Sequence, residues 1–190
     1  MEAFSPYTRR MSGTKLMTAE ELLREQPPHK RSELIEGRLV VREPAGGRHG
    51  RVTMRVTVPL ANFVEEHGLG QVYAAETGFK LGSDPDTVRA PDVAFIVEAR
   101  VPEEEPRGYP AYAPDLVVEV LGADDRPGEV LAKVGAWLNA GVRLVWVVDP
   151  AKRTARVYRA DGTESQLQGA DSLSGEDVVL GFALPLKQLW

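Results

Sequence analysis

The run Asp115-Leu-Val-Val-Glu119-Val-Leu121 is apolar apart from its carboxylates, and one of these stands in its middle. Alternate residues of a strand share a face, so Glu119 sides with Asp115, Val117 and Leu121, while Leu116, Val118 and Val120 take the other. Apolar side chains on both faces imply a strand covered on both sides. A carboxylate buried there without a partner costs several kcal/mol, so Glu119 calls for a cation, a metal ion or a proton. A second carboxylate, in Pro91-Asp92-Val-Ala-Phe-Ile-Val97, stands at the mouth of another apolar run. Pro-Asp before a strand is also ordinary turn chemistry. Two runs joined by one excursion are expected to be sheet neighbours, which lets Asp92 face Glu119. Two carboxylates converging with backbone carbonyls and water suit a hard divalent cation such as Mg²⁺ or Mn²⁺. The competing reading is a buried salt bridge to arginine, with no metal.

The elements that must hold this pair follow an α/β pattern. Thr18-Ala-Glu-Glu21 matches a capping box that opens a short helix, with Pro27 and Pro28 as its stop. Residues 32–35 and 38–42 predict a hairpin around Glu36-Gly37. From His49 to His67, Val52, Val56, Leu60, Phe63 and Val64 recur at helical spacing and predict a long helix containing Pro59. Strands are expected at 71–75, 79–81, 92–97 and 115–121, with 98–114 as a solvated loop between the last two. Residues 127–140 read as an amphipathic helix with Val130, Leu131, Val134, Trp137 and Leu138 on its apolar face and Gly141 as its stop. Residues 144–149 and 154–159 follow as a hairpin. The tail reads as a closing strand through 178–180 and a docked end at 184–190.

Residues 1–16 read as an arm and 17–190 as one domain, because 190 residues with 43% hydrophobic and 27% charged content suffice for one substantial core. No apolar run approaches the roughly 20 residues of a membrane helix, so no membrane partner is expected. The first residues lack the apolar stretch of a secretory signal. The absence of cysteine excludes disulfides, thiolate catalysis and Cys-ligated metal centres, and suits a reducing compartment, so a cytoplasmic location is expected. A net charge of −5 argues against broad adhesion to nucleic acid. Locally the balance reverses: Lys30, Arg31, Arg38, Arg42, Arg48, Arg51 and Arg55 outnumber Glu33, Glu36 and Glu43. That stretch is either a phosphate-contacting groove or plain surface charge.

Taken in order, Arg31-Ser-Glu33-Leu-Ile-Glu36-Gly37, His49, Pro91-Asp92-Val-Ala-Phe95, Pro114-Asp115-Leu-Val-Val-Glu119-Val-Leu121, Lys133, Gly141-Val142 and Val145-Trp146-Val-Val-Asp149-Pro150 resemble the Uma2 family (DUF820). That family belongs to the restriction-endonuclease-like PD-(D/E)XK superfamily. The resemblance implies a mixed β-sheet flanked by helices, preceded by a helix and a hairpin. It implies Asp92 as the motif aspartate, Glu119 as the motif glutamate, and the Val120 carbonyl as a further metal ligand. The classical motif has lysine two residues after the glutamate, where this chain has Leu121. Lys133 on the following helix is the candidate replacement, set against a lysine snorkelling at a helix edge. Glu33 falls where the superfamily places an acidic residue for a second metal or for orienting water; Glu36 is the rival, better suited to the turn. His49 opens the long helix, where an imidazole could meet a phosphate. Trp146 and Asp149 read as packing and turn residues.

The activity so implied is Mg²⁺- or Mn²⁺-dependent hydrolysis of phosphodiester bonds, with DNA favoured over RNA and a homodimer expected by analogy with two-strand cutters. Its alternative is a catalytically inactive module that keeps the nuclease fold for binding or assembly, motivated by Leu121 and the acidic balance.

Overall fold

The computed structural model describes residues 16–25, 30–104 and 106–190. The expected arm, apart from Leu16, and the Pro27-Pro28 stop lie outside these residues. Helix α1 (Ala19–Arg24) is capped by Thr18, whose hydroxyl accepts from the Glu21 amide at 3.1 Å while Glu21 accepts from the Thr18 amide at 3.0 Å. Strands β1 (Arg31–Ile35) and β2 (Arg38–Arg42) form the hairpin. Glu36 and Gly37 make its turn at φ 51° and 72°, left-handed values that a two-residue hairpin turn demands and glycine adopts without steric cost.

Helix α2 (Gly47–His67) keeps Pro59 within it and stops at Gly68, which is left-handed. Then come β3 (Gly70–Ala74), β4 (Phe79–Gly82), β5 (Thr87–Arg89), β6 (Val93–Val97), β7 (Leu116–Val120), α3 (Pro127–Asn139), β8 (Leu144–Asp149), β9 (Thr154–Arg159), β10 (Glu164–Gln168), β11 (Ser172–Ser174) and β12 (Ala183–Pro185). The loop expected at 98–114 begins with a single 3-10 turn, Glu98–Arg100. Arg100 then ties that turn to Asp115 at 2.7 Å and to the Ala113 carbonyl at 2.8 Å, drawing the two ends of the excursion together.

The strands divide between a main sheet in the order β10-β9-β8-β7-β6-β3 and a smaller one in the order β2-β1-β5-β4, with β11 and β12 paired separately. Within the main sheet only β7 and β8 run parallel, joined by α3 as the crossover such a pair needs. Strands β6 and β7 are antiparallel neighbours, as expected from their connection. Both faces of the sheet are covered. On one, Val52, Val56, Leu60 and Val64 of α2 and the chain's last residues pack against Phe95, Val118 and Trp146. On the other, Val134 and Trp137 of α3 pack with Phe79 against Ile96, Val117 and Val145, while Leu131, expected on the same helix face, is 53% exposed because it follows Val130 by one residue and turns away from the sheet. Two covered faces explain why β6, β7 and β8 read as continuous apolar runs.

The tail corrects the sequence reading. Residues 178–180 form a turn, not a closing strand: Val178 and Val179 are buried, Leu180 is 75% exposed, and Gly181 bends the chain at φ 87°. The strand there is β12, paired with β11, and the docked end follows through buried Leu184, Leu186 and Leu189. Strands β5, β10 and β11 were not legible. Two are only three residues long, and Glu-Ser-Gln-Leu-Gln of β10 is an edge strand whose alternating burial is hidden in sequence because only Leu167 is apolar.

Candidate active site

Position 119 is the middle of the central strand β7, on the face that α3 covers, so its carboxylate must find partners on that helix or stay unsatisfied. It finds two. Glu119 Oε2 accepts from Lys133 Nζ at 2.8 Å, and Oε1 accepts from the Trp137 indole at 2.8 Å. Lys133 and Trp137 are four residues apart and therefore lie on one helix face. The amino group of Lys133 also donates to the Ala90 carbonyl at 3.2 Å and lies 3.2 Å from Glu33 Oε1.

Glu33, buried on β1, is held in turn by Arg89 Nη1 at 3.0 Å and the Ala90 amide at 3.0 Å. The small sheet thereby delivers its acid to the lysine on α3. Glu36 stays in the hairpin turn. Asp92 precedes β6, and one more step in the Val93↔Val118 register sets it opposite Glu119. Its Oδ2 accepts from the Val120 amide at 2.7 Å and lies 3.1 Å from His49 Nε2, while Oδ1 accepts from Arg31 Nη2 at 3.1 Å. The imidazole of His49 thus turns inward onto Asp92, with Thr53 Oγ1 at 3.5 Å on its other nitrogen.

The electrostatics follow from crowding acids in a covered site. Burial, reinforced by Asp92 and Glu33, pushes the Glu119 carboxyl up to about 7 even though Lys133 pulls it down. Burial also works against an ionised Asp92, yet His49, the Val120 amide and Arg31 hold its carboxyl below the usual range. The same contest at Glu33 is won by Lys133, Arg89 and the Ala90 amide, so its pKa is lowered. His49 is raised chiefly by its hydrogen bond to Asp92, and Lys133 is raised because Glu119 and Glu33 outweigh its desolvation.

Asp92, Glu119, Val120, Glu33, His49 and Lys133 all line one cleft of about 840 Å³, together with Leu121. Among the described residues no group of three or more His, Cys, Asp or Glu side chains is gathered as a ready-made metal centre. A hard cation such as Mg²⁺ needs less, since it retains several waters and takes one or two carboxylates. Two acids with oxygen donors, one made hard to ionise by burial and then by its acidic neighbours, fit such an ion and not a closed zinc site.

Sequence reasoning missed Arg89 and Trp137 as members of this cluster and read Arg31 as a phosphate contact or surface charge, where it is a partner of Asp92. A signal existed for two of them. An arginine inside Thr-Val-Arg-Ala-Pro, flanked by apolar residues, needs an acid partner if buried, and Trp137 shares the face of any Lys133 that reaches the sheet.

Residues 19–187 match the family model of Uma2, described as a putative restriction endonuclease. The chain belongs to the Uma2 family. Among solved structures, the Uma2 fold seen here is similar to that of a putative nuclease belonging to DUF820 from Anabaena variabilis ATCC 29413. The TM-score is 0.77 at 24% sequence identity, covering 91% of this chain and 97% of that one. That likeness establishes the restriction-endonuclease-like fold. No curated protein matches the chain. Among the described residues of this Uma2 chain, no helix is long and apolar enough to cross a membrane.

Proposed function

We propose that this Uma2 protein is a metal-dependent endonuclease that hydrolyses phosphodiester bonds, with DNA as the favoured substrate. The observation that carries the reading is the 2.8 Å contact between Lys133 Nζ and Glu119 Oε2: the cation missing at Leu121 is restored at the same carboxylate from α3. Asp92, Glu119 and the Val120 carbonyl would hold a Mg²⁺ or Mn²⁺ ion. When bound, that ion supplies Lewis-acid polarisation and a water of lowered pKa. Lys133 sets a positive charge where charge develops on the phosphoryl oxygens, a contribution of the kind worth about 10²–10³ in rate. Glu33, fixed by Arg89, steers that amino group, and His49 fixes Asp92.

A second reading, the inactive module, draws on a different observation: every oxygen of Asp92 and Glu119 already has an N–H partner without any metal. One experiment separates them. Incubation of plasmid DNA with the protein and Mg²⁺ or Mn²⁺ should give cleavage that EDTA and Asp92→Ala both abolish. Cleavage that survives either treatment would exclude the metal reading. No cleavage at all, together with no calorimetric signal for Mn²⁺, would favour the module.

A further inference from the structure

Helix α2 leaves the cleft with its buried side, Val52, Val56, Leu60 and Val64, against the main sheet. On its outward side stand Arg48, Arg51 and Arg55, at spacings of three and four residues that place them in one stripe. No acidic residue occurs between Gly47 and Val64. Of the other cations in this basic third, Lys30 pairs with Glu43, Arg31 with Asp92 and Arg42 with Glu129, while Arg38 stands exposed on β2, outside the lining of the cleft. The three on α2 have no carboxylate partner among the described residues. Arg48 itself lines the cleft beside His49, so the stripe begins at the site and continues along α2.

We infer that the Arg48–Arg51–Arg55 face of α2 is the surface along which the phosphate backbone of one nucleic-acid strand enters the cleft. Three guanidiniums without a carboxylate partner among the described residues, on a protein of net charge −5, concentrate positive potential on this face of α2. Seven residues of helix span about 10 Å at 1.5 Å each. That length matches about three phosphates at roughly 3.4 Å of axial rise per nucleotide of a strand. Arg31, a candidate by sequence for the same task, is excluded by its pairing with Asp92.

The choice of nucleic acid as ligand rests on the nuclease reading, so the test measures binding without cleavage. A short labelled DNA duplex is titrated in EDTA at several salt concentrations with the wild type, with Arg48→Gln/Arg51→Gln/Arg55→Gln and with Arg38→Gln, an exposed arginine outside the stripe. Each phosphate contact contributes about −0.9 to the slope of log K against log salt. The triple variant should therefore flatten the slope by about 2.7, each single variant by about a third of that, and Arg38→Gln not at all. Arg48 and Arg51 are exposed and Arg55 is half-buried, and unchanged circular dichroism verifies the fold of the variants. A triple variant with the wild-type slope, a wild type that binds no duplex at low salt, or preferential binding to phosphatidylserine vesicles would overturn the inference. Duplex binding with the expected slopes but no cleavage in Mg²⁺ would leave it standing and remove only the nuclease reading.

Discussion

In the proposed hydrolysis the chemistry turns on Lys133, because Leu121 leaves β7 with no cation of its own beside Glu119. Replacing it with glutamine keeps a polar side chain at the helix edge but takes away the charge. Lys133→Gln should lower the hydrolysis rate by about 10²-fold or more with little change in substrate affinity, as steady-state kinetics on an oligonucleotide would show. Trp137 acts differently. Its indole is the only donor recorded for Glu119 Oε1 among the described residues, and both groups are buried. Trp137→Phe retains most of the apolar bulk and strands a buried acceptor, so it should cost about 1–3 kcal/mol of stability in urea unfolding. It should also weaken Mn²⁺ binding by calorimetry, since the carboxylate loses the contact that fixes its orientation.

Short elements depend on what they dock against, and α1 is the clearest case. Six residues are too few for an independent helix, so its capping box defines where it starts without making it stable. Its first amide donates to Asp86 Oδ2 at 2.7 Å, and Lys80 lies 2.9 Å from the other oxygen. Burial raises the Asp86 carboxyl, but Lys80 and the Ala19 amide more than compensate and its pKa is lowered. A lowered folded pKa gives stability that is present above the unfolded value, about 3.9, and is lost as pH falls through the folded one. Wild type should therefore exceed Asp86→Asn by about 1 kcal/mol at neutral pH. Thermal melts of the two proteins should converge as the pH drops below about 4.

At the scale of the whole molecule, the covered main sheet and the small sheet meet at the acids. Asp92 comes from the residue before β6 and Glu119 from β7, while Arg31 and Glu33 of β1 and Arg89 of β5 come from the small sheet. A cation bound at the junction would tie these parts together only in the folded state, and ligand that binds only the native form stabilises by mass action. Mn²⁺ at about a hundred times its dissociation constant should add about 2.7 kcal/mol to wild-type stability. Differential scanning fluorimetry should show the shift in wild type and none in Asp92→Asn; equal shifts in both would place the ion elsewhere.

The apolar runs around Asp92 and Glu119, the helical periods of α2 and α3, and the Glu36-Gly37 turn were legible because each depends on spacing along the chain and on burial by period. Residue types alone also restricted any metal ligands to oxygen and imidazole. Whether Lys133 reaches Glu119 was not legible, since a lysine at the edge of an apolar stripe reads the same whether it is solvated or buried. The inward turn of His49, the burial of Arg89 and the commitment of Arg31 to Asp92 are contacts across 43, 56 and 61 positions of sequence. Local pattern carries no information about such pairs. Only packing the small sheet against the end of the main one decides which cations neutralise the buried acids and which, on the outer face of α2, are left without a carboxylate partner among the described residues.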